Sequence, residues 1–239
     1  QLQLGFLKVL KGSYLYEMAE RYKIVYTAAP PYEVLRTKWI SYEEIRRLKK
    51  IEQMVEIYYN GGQFHHTIFV LQESFQSPFS MYEALADYYA KEGFFTKMPA
   101  RDFHYRILLS FAGKYGNREE ALYRELLVFD FYLREKAKSR PDFAGGQEAY
   151  GKEAAAFYKK EERERRYLPD YGDYDSRQLA RMTHLEQFHY TVWESVPKQR
   201  DGFLLFDYRK RNPLTHEAAV TVILQSEFMT DMAERETAG

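Results

Sequence analysis

Apolar positions recur at steps of three and four along most of the chain, with strand-like runs towards its two ends. The opening, Leu2-Gln3-Leu4-Gly5-Phe6-Leu7-Lys8-Val9-Leu10, is short, apolar and broken by Lys11-Gly12-Ser13, which predicts a buried strand leading into a turn. Ser13 is placed to cap a following helix in which Leu15, Met18, Ala19 and Tyr22 share a face. Ala28 to Glu33 is predicted to be extended, because Pro30 and Pro31 push the residues before them out of the α region. Ser41-Tyr42-Glu43-Glu44 has the pattern of a capping box, and Ile45, Leu48, Ile51, Val55 and Tyr58 follow at helical spacing until Asn60-Gly61.

Ser77-Pro78 predicts the start of a helix carrying Tyr82, Leu85, Ala86 and Tyr89 inward and ending at Gly93. A helix from about Arg101 groups Phe103, Ile107 and Phe111. Asn117 with Glu120 has the spacing of another capping box, opening a helix with Leu122, Leu126, Phe129 and Leu133. Leu127, Val128 and Phe131 make that helix apolar nearly all round, which predicts a central position. A charged helix is expected from Gln147 to Tyr167; its mixed signs over Lys159 to Arg166 are those of a solvated face. Asp175 or Ser176 caps a short helix around Gln178. Two β-rich runs follow, Phe188 to Trp193 and Phe203 to Tyr208, while Ala219 to Leu224 fits strand or helix equally. The residues from about Asp231 are expected to fray.

These elements predict a mainly α chain with a small β element, an α+β fold. A helical bundle-like domain is followed by a short antiparallel hairpin or sheet. Composition shifts place boundaries at 1–38 (strand, turn, helix and extended segment), 39–138 (helical), 139–175 (charged helix and linker) and 176–239 (small α+β part).

Charge and composition narrow the chemistry. Lys and Arg number 35, as do Asp and Glu, so no net field favours nucleic acid or an anionic membrane. With no cysteine, the chain offers no disulfide, no thiolate metal site and no cysteine nucleophile. No apolar run reaches the ~18 residues of a membrane span. The first residue is Gln1 and no signal region follows it, which fits a cytoplasmic fragment of something longer. Aromatic residues make up 17% of the chain, led by 22 tyrosines; such rings fill a helical core or line a semi-polar cavity.

Motifs for chemistry are sparse. Gly146 to Lys152 has the spacing of a phosphate loop, but Glu153 stands where a hydroxyl belongs and no strand precedes it. Asp102-Phe103-His104 begins like a cobalamin-ligating motif, yet Ile107 occupies the glycine position. Asp170, Asp173 and Asp175 do not match an EF-hand loop. Adjacent His65 and His66 diverge. His184, Glu186 and His189 form the nearest approach to an acid–base cluster; on a strand the first two share a face and His189 takes the other. No catalytic residue and no metal site is assigned. Arg46, Arg47, Lys49 and Lys50 form a basic cluster, the basis of an alternative role as a module binding a partner protein or RNA such as tRNA.

Five segments carry a resemblance. Leu7-Lys8-Val9-Leu10-Lys11-Gly12-Ser13-Tyr14-Leu15-Tyr16 resembles the end of a radical S-adenosylmethionine barrel. Pro30 to Leu35, Trp39 to Glu44 and Lys49 to Phe64 resemble the uncharacterised C-terminal domain attached to one group of cobalamin-binding radical S-adenosylmethionine proteins, as does Leu205-Phe206-Asp207-Tyr208. The resemblance implies a parent chain whose N-terminal cobalamin and radical domains hold cobalamin, a [4Fe–4S] cluster and S-adenosylmethionine, with no cofactor on this chain. It implies an accessory domain that recognises or covers an unknown substrate. Tyr32, Glu33, Tyr59 and Asn60, at the joints nearest the implied barrel, are its candidate substrate-facing residues, together with His184, Glu186 and His189.

Overall fold

The computed structural model describes residues 1–96, 100–137, 139–146, 150–226 and 228. Among them are eight α-helices and two small antiparallel sheets, so the fold is α+β. The chain divides into two compact units: Gln1–Gly62 with Phe75–Pro99, and Gln63–Ser74 with Ala100–Gly239.

In the first unit, α1 (Tyr14–Glu17) is a single turn capped by Ser13, whose hydroxyl accepts the Tyr16 N–H. β1 (Val25–Tyr26) and β2 (Val34–Arg36) form a two-stranded antiparallel pair that the sequence pattern did not predict, being too short to show alternation. Between them Ala29–Tyr32 form a tight turn, so Ala28–Glu33 is not one extended run. The Pro30–Pro31 peptide is cis and the Tyr32 N–H closes onto the Ala29 carbonyl. The opening segment is not a buried strand either. Its one bridge is Lys8 to Glu33, and Leu2, Leu4, Leu7 and Leu10 are exposed. Leu7 and Val9 bond Val34 and Tyr32 along one edge only, and a ladder needs bonding that continues along the strand. Val9 alone of this run is buried, in a cluster with Ile24, Val34 and Ile45.

α2 (Tyr42–Val55) starts at the predicted capping box, Ser41 and Glu44 each satisfying the other's backbone N–H. It continues into a π-helical turn, Glu56–Asn60. α4 (Pro78–Lys91) packs on α2 and buries Tyr82, Leu85, Ala86 and Tyr89 as expected. The hydroxyls of Tyr58 and Tyr89 meet at 2.6 Å in this interior. At the α4 N-terminus Pro78 supplies a residue with no N–H where none can be bonded, and the Ser77 hydroxyl accepts the Ser80 N–H at 3.1 Å. Ser77→Ala is expected to cost about 1 kcal/mol, read as a lower urea midpoint with unchanged slope.

The second unit is layered on a three-stranded antiparallel sheet, β3 (Thr183–Tyr190), β4 (Gln199–Arg211) and β5 (Ala218–Leu224), with β4 central. Residues 219–224 are therefore strand. On one face Leu185, Phe203, Leu205 and Ile223 pack with Phe157, Tyr158, Leu168 and Leu179, from and around α7 (Tyr150–Glu164) and α8 (Ser176–Met182). On the other, Phe188 and Phe206 meet Phe129 of α6 (Glu120–Arg134). Covered on both faces, Phe203 to Phe206 read as an unbroken apolar run instead of alternating. α6 also packs on α3 (His65–Leu71) and α5 (Arg101–Tyr115), and every residue from Leu126 to Leu133 is buried, the central position its sequence predicts.

Other expectations are corrected. Asn117 does not cap α6: the helix begins after Glu119, and Asn117 instead bonds Ser74 through its amide oxygen and its backbone N–H. Phe103 is exposed while Ile107 and Phe111 are buried. The charged face of α7 is not wholly solvated, since Lys160 and Glu161 are buried and Glu161 accepts the N–H groups of Tyr167 and Leu168. β3 begins five residues before the predicted run. The expected helix start at Gln147 and the frayed end from Asp231 lie outside the described residues. No helix among the described residues is long and apolar enough to cross a membrane.

Candidate functional site

In the first unit, two of the four joint residues line two adjoining hollows, one each. Asn60, closing the π-helical turn, holds the backbone of Leu2 at two points. Its Oδ1 accepts the Leu2 N–H and its Nδ2 donates to the Leu2 carbonyl, both at 2.8 Å, while Nδ2 also reaches Glu56 at 2.7 Å. Thus a side-chain amide stands in for a neighbouring strand. Glu33 pairs with Lys49 of α2, and its N–H donates to the Thr27 hydroxyl at 3.0 Å. Between these anchors the opening segment and α2 enclose two open hollows of about 430 and 470 Å³ that share Gln3, Leu4 and Glu52. Asn60 lines the first and Glu33 the second. Tyr32, at φ 56°, lines neither hollow, and its carbonyl accepts the Val9 N–H. Tyr59 is exposed and lines neither hollow.

The basic cluster is dispersed among partners of its own unit. Arg46 meets Glu43 at 3.4 Å, Arg47 meets Glu83 at 3.1 Å and Asp87 at 3.5 Å, Lys49 meets Glu33, and Lys50 lies over the Phe95 ring.

In the second unit, period-two geometry sorts the three β3 candidates as expected. His184 and Glu186 face α6 together, with His184 Nε2 2.9 Å from the Glu186 carboxylate and the His184 ring stacked on Tyr132 at 3.9 Å. Arg140 donates from Nε to Glu186 at 3.0 Å and from Nη1 to the carbonyls of Ala144 and Gly145. The Glu186 side chain is only 2% exposed, and it is met inside the unit by a guanidinium from the 139–146 loop. Burial and the nearby Glu186 push the Tyr132 hydroxyl well above its usual range, keeping it neutral. His189 turns away to Asp201 at 2.8 Å, and its backbone N–H, with that of Tyr190, donates to Glu125. Burial raises the Glu125 carboxyl despite those two donors. The arrangement binds a loop and a helix to the sheet; three ligands do not converge.

Asp130, passed over in the sequence, forms a tighter pair with His66. Asp130, buried in α6, accepts from His66 Nδ1 at 2.8 Å and from the backbone N–H groups of His66 and Thr67. The visible signal was an acidic residue inside Leu126-Leu127-Val128-Phe129-Asp130-Phe131-Tyr132-Leu133, where charge is costly without partners. His65 and His66 do not diverge as expected: their rings meet edge to face at 5.4 Å and line one cleft. Asp102 and His104 lie within α5, where burial lowers the His104 pKa. Asp170 pairs with Lys210 and Asp175 caps α8. Among the described residues no group of three His, Cys, Asp or Glu side chains is placed to hold a metal ion.

Compared with known families, residues 20–206 match the family described as "Protein of unknown function (DUF4080)". The chain belongs to DUF4080. The DUF4080 match takes in both candidate regions, from Glu33 and Asn60 to Glu186 and His189, and ends within β4. Neither a curated protein nor a solved structure matches the chain. Membership of a domain family of unknown function agrees with the reading of an uncharacterised domain from Pro30 to Phe64.

Proposed function

We propose that this DUF4080 domain is an accessory module of a cobalamin-dependent radical S-adenosylmethionine enzyme, packing against the parent's barrel and helping to enclose its substrate. The observation that carries the reading is the opening segment. It is extended and pinned at Leu2 and Val9, yet holds Leu2, Leu4, Leu7 and Leu10 out to solvent. Four large apolar side chains on one short stretch are what a packing surface provides. The resemblance of that stretch to a barrel's last strand supplies the identity of the surface it would meet. The two hollows lined by Glu33 and Asn60 adjoin the same segment, so substrate-facing polar groups would lie beside the contact. Radical chemistry needs its substrate shielded from water and stray hydrogen donors, and a closing module serves that need. This chain has no cysteine, so the cluster's thiolates would come from the preceding part of the parent.

The cheapest test is the natural sequence upstream of Gln1, which on this reading contains a Cys-x3-Cys-x2-Cys motif; a complete gene without one ends the proposal. The functional test uses the full-length parent carrying Leu4→Asp with Leu7→Asp. Cluster and cobalamin absorbance are expected to persist, while stimulation of S-adenosylmethionine turnover by a host-cell extract, the source of substrate, is lost. Stimulation equal to that of the unaltered parent would reject the accessory role.

A further inference from the structure

In the second unit, the pairing of Asp130 with His66 does more than satisfy a helix start. Capping α3 needs a carboxylate on its backbone N–H groups, which Asp130 provides at 3.0 Å to His66 and 2.9 Å to Thr67, with the Thr67 hydroxyl added at 2.7 Å. It does not need the imidazole. Each carboxylate oxygen accepts one backbone N–H and one further donor, so His66 Nδ1 donates to Asp130 and Nε2 is the ring nitrogen left for another partner. The ring is wedged edge-on between Phe129 at 4.7 Å and His65 at 5.4 Å, which fixes its orientation. Among the described residues Nε2 has no hydrogen-bond partner, and the side chain is 31% exposed.

That exposed edge opens into a cleft of about 210 Å³ lined by His65, Phe69 and Trp193, with Glu194 and Ser195 among its polar residues. The volume is below the ~300–1,000 Å³ of a site for a drug-sized ligand, leaving room for little more than one ring. Phe69 and Trp193 offer aromatic surface. The Glu194 carboxylate disfavours an anion beside them. We infer that the cleft between α3 and the loop after β3 binds a small neutral aromatic ring bearing an O–H or N–H, which donates to His66 Nε2 while Asp130 holds that imidazole in register. This assignment stands independently of the accessory role proposed above.

The test is carbethoxylation of the full chain by diethyl pyrocarbonate, with each of the six histidines followed by peptide mass mapping. The probes are phenol, anisole (same ring, no donor) and N-acetyltyrosinamide (same donor, bulk on the ring). His66 is expected to react in the free protein. Phenol filling the cleft nine-tenths of the time slows that reaction about tenfold by mass action, and millimolar concentrations are in keeping with so small a ligand. Anisole is expected to leave the rate unchanged, and N-acetyltyrosinamide to protect less than phenol. Trp193→Leu should abolish phenol protection while His66 still reacts. The assignment is overturned if His66 is inert in the free protein, if phenol gives no protection, or if anisole protects as well. Equal protection by N-acetyltyrosinamide would overturn the restriction to a small free ring.

Discussion

Arg140→Met is expected to destabilise the second unit by about 3–5 kcal/mol, because it removes the guanidinium from a carboxylate that stays buried. Among the described residues Glu186 then keeps only His184 Nε2 as a partner, and the Ala144 and Gly145 carbonyls lose this donor in the same step. Arg140 itself is a quarter exposed, so water entering its place moves the loss towards the lower end of that range. Glu186→Gln is expected to cost less, about 1–2 kcal/mol, since an amide oxygen still accepts from Arg140 while the buried charge is gone. Replacing both, Arg140→Met with Glu186→Leu, should recover most of the loss. A charge pair exchanged for apolar side chains of like volume is often neutral, whereas half a pair is not. Urea midpoints for the two single variants and the double close this cycle. If Arg140→Met alone stays within about 0.5 kcal/mol of the parent, the ion pair is a surface contact after all.

The same region shows how far the sequence could be read. Thr183-His184-Leu185-Glu186-Gln187 is too polar to suggest a strand beneath a helix, so β3 was expected only from Phe188. The polar members are buried because partners distant in sequence neutralise them: Arg140 for Glu186, Tyr158 for the Thr183 hydroxyl. Hydrophobicity along the chain cannot register a partner 46 residues away. The shared face of His184 and Glu186 was legible, since alternation depends on local geometry alone. So was α6, whose residues from Leu126 to Leu133 are buried on every side of the helix. At the other extreme, the opening leucines carry a strong strand signal and yet stand exposed. Composition states that a segment should be covered, not by what. β1 and β2 failed for want of length, two and three residues showing no period at all. Asn60 and Glu33, read as joint residues, line two adjoining hollows, one each. What the sequence could not supply is that Asn60 grips backbone while Glu33 grips a lysine.

Asp130→Ala is expected to be as damaging, about 3–5 kcal/mol, for a different reason: no charge is orphaned, but several donors are. The backbone N–H groups of His66 and Thr67 and the Thr67 hydroxyl all end on this carboxylate, and Thr67 is fully buried. Each buried donor left unmet costs about 1–3 kcal/mol, and water reaches the Thr67 side poorly. α3 is only seven residues long and packs directly on α6, so losing its anchored start loosens the contact between those two helices. Asp130→Asn keeps one accepting oxygen but turns an N–H2 group towards donors, and should fall roughly midway. Thr67→Val, which removes the hydroxyl and preserves shape, should cost about 1 kcal/mol. These variants separate two uses of one carboxylate. If Asp130 only anchors α3, the rate at which His66 is carbethoxylated in folded Asp130→Asn should match the parent. If it also sets the imidazole tautomer, the amide can donate to Nδ1, the ring proton moves to Nε2, and the His66 rate drops while those of His65 and His189 hold. An unchanged urea midpoint for Asp130→Ala would remove both roles together, because a carboxylate that does not hold the start of α3 cannot orient the histidine within it.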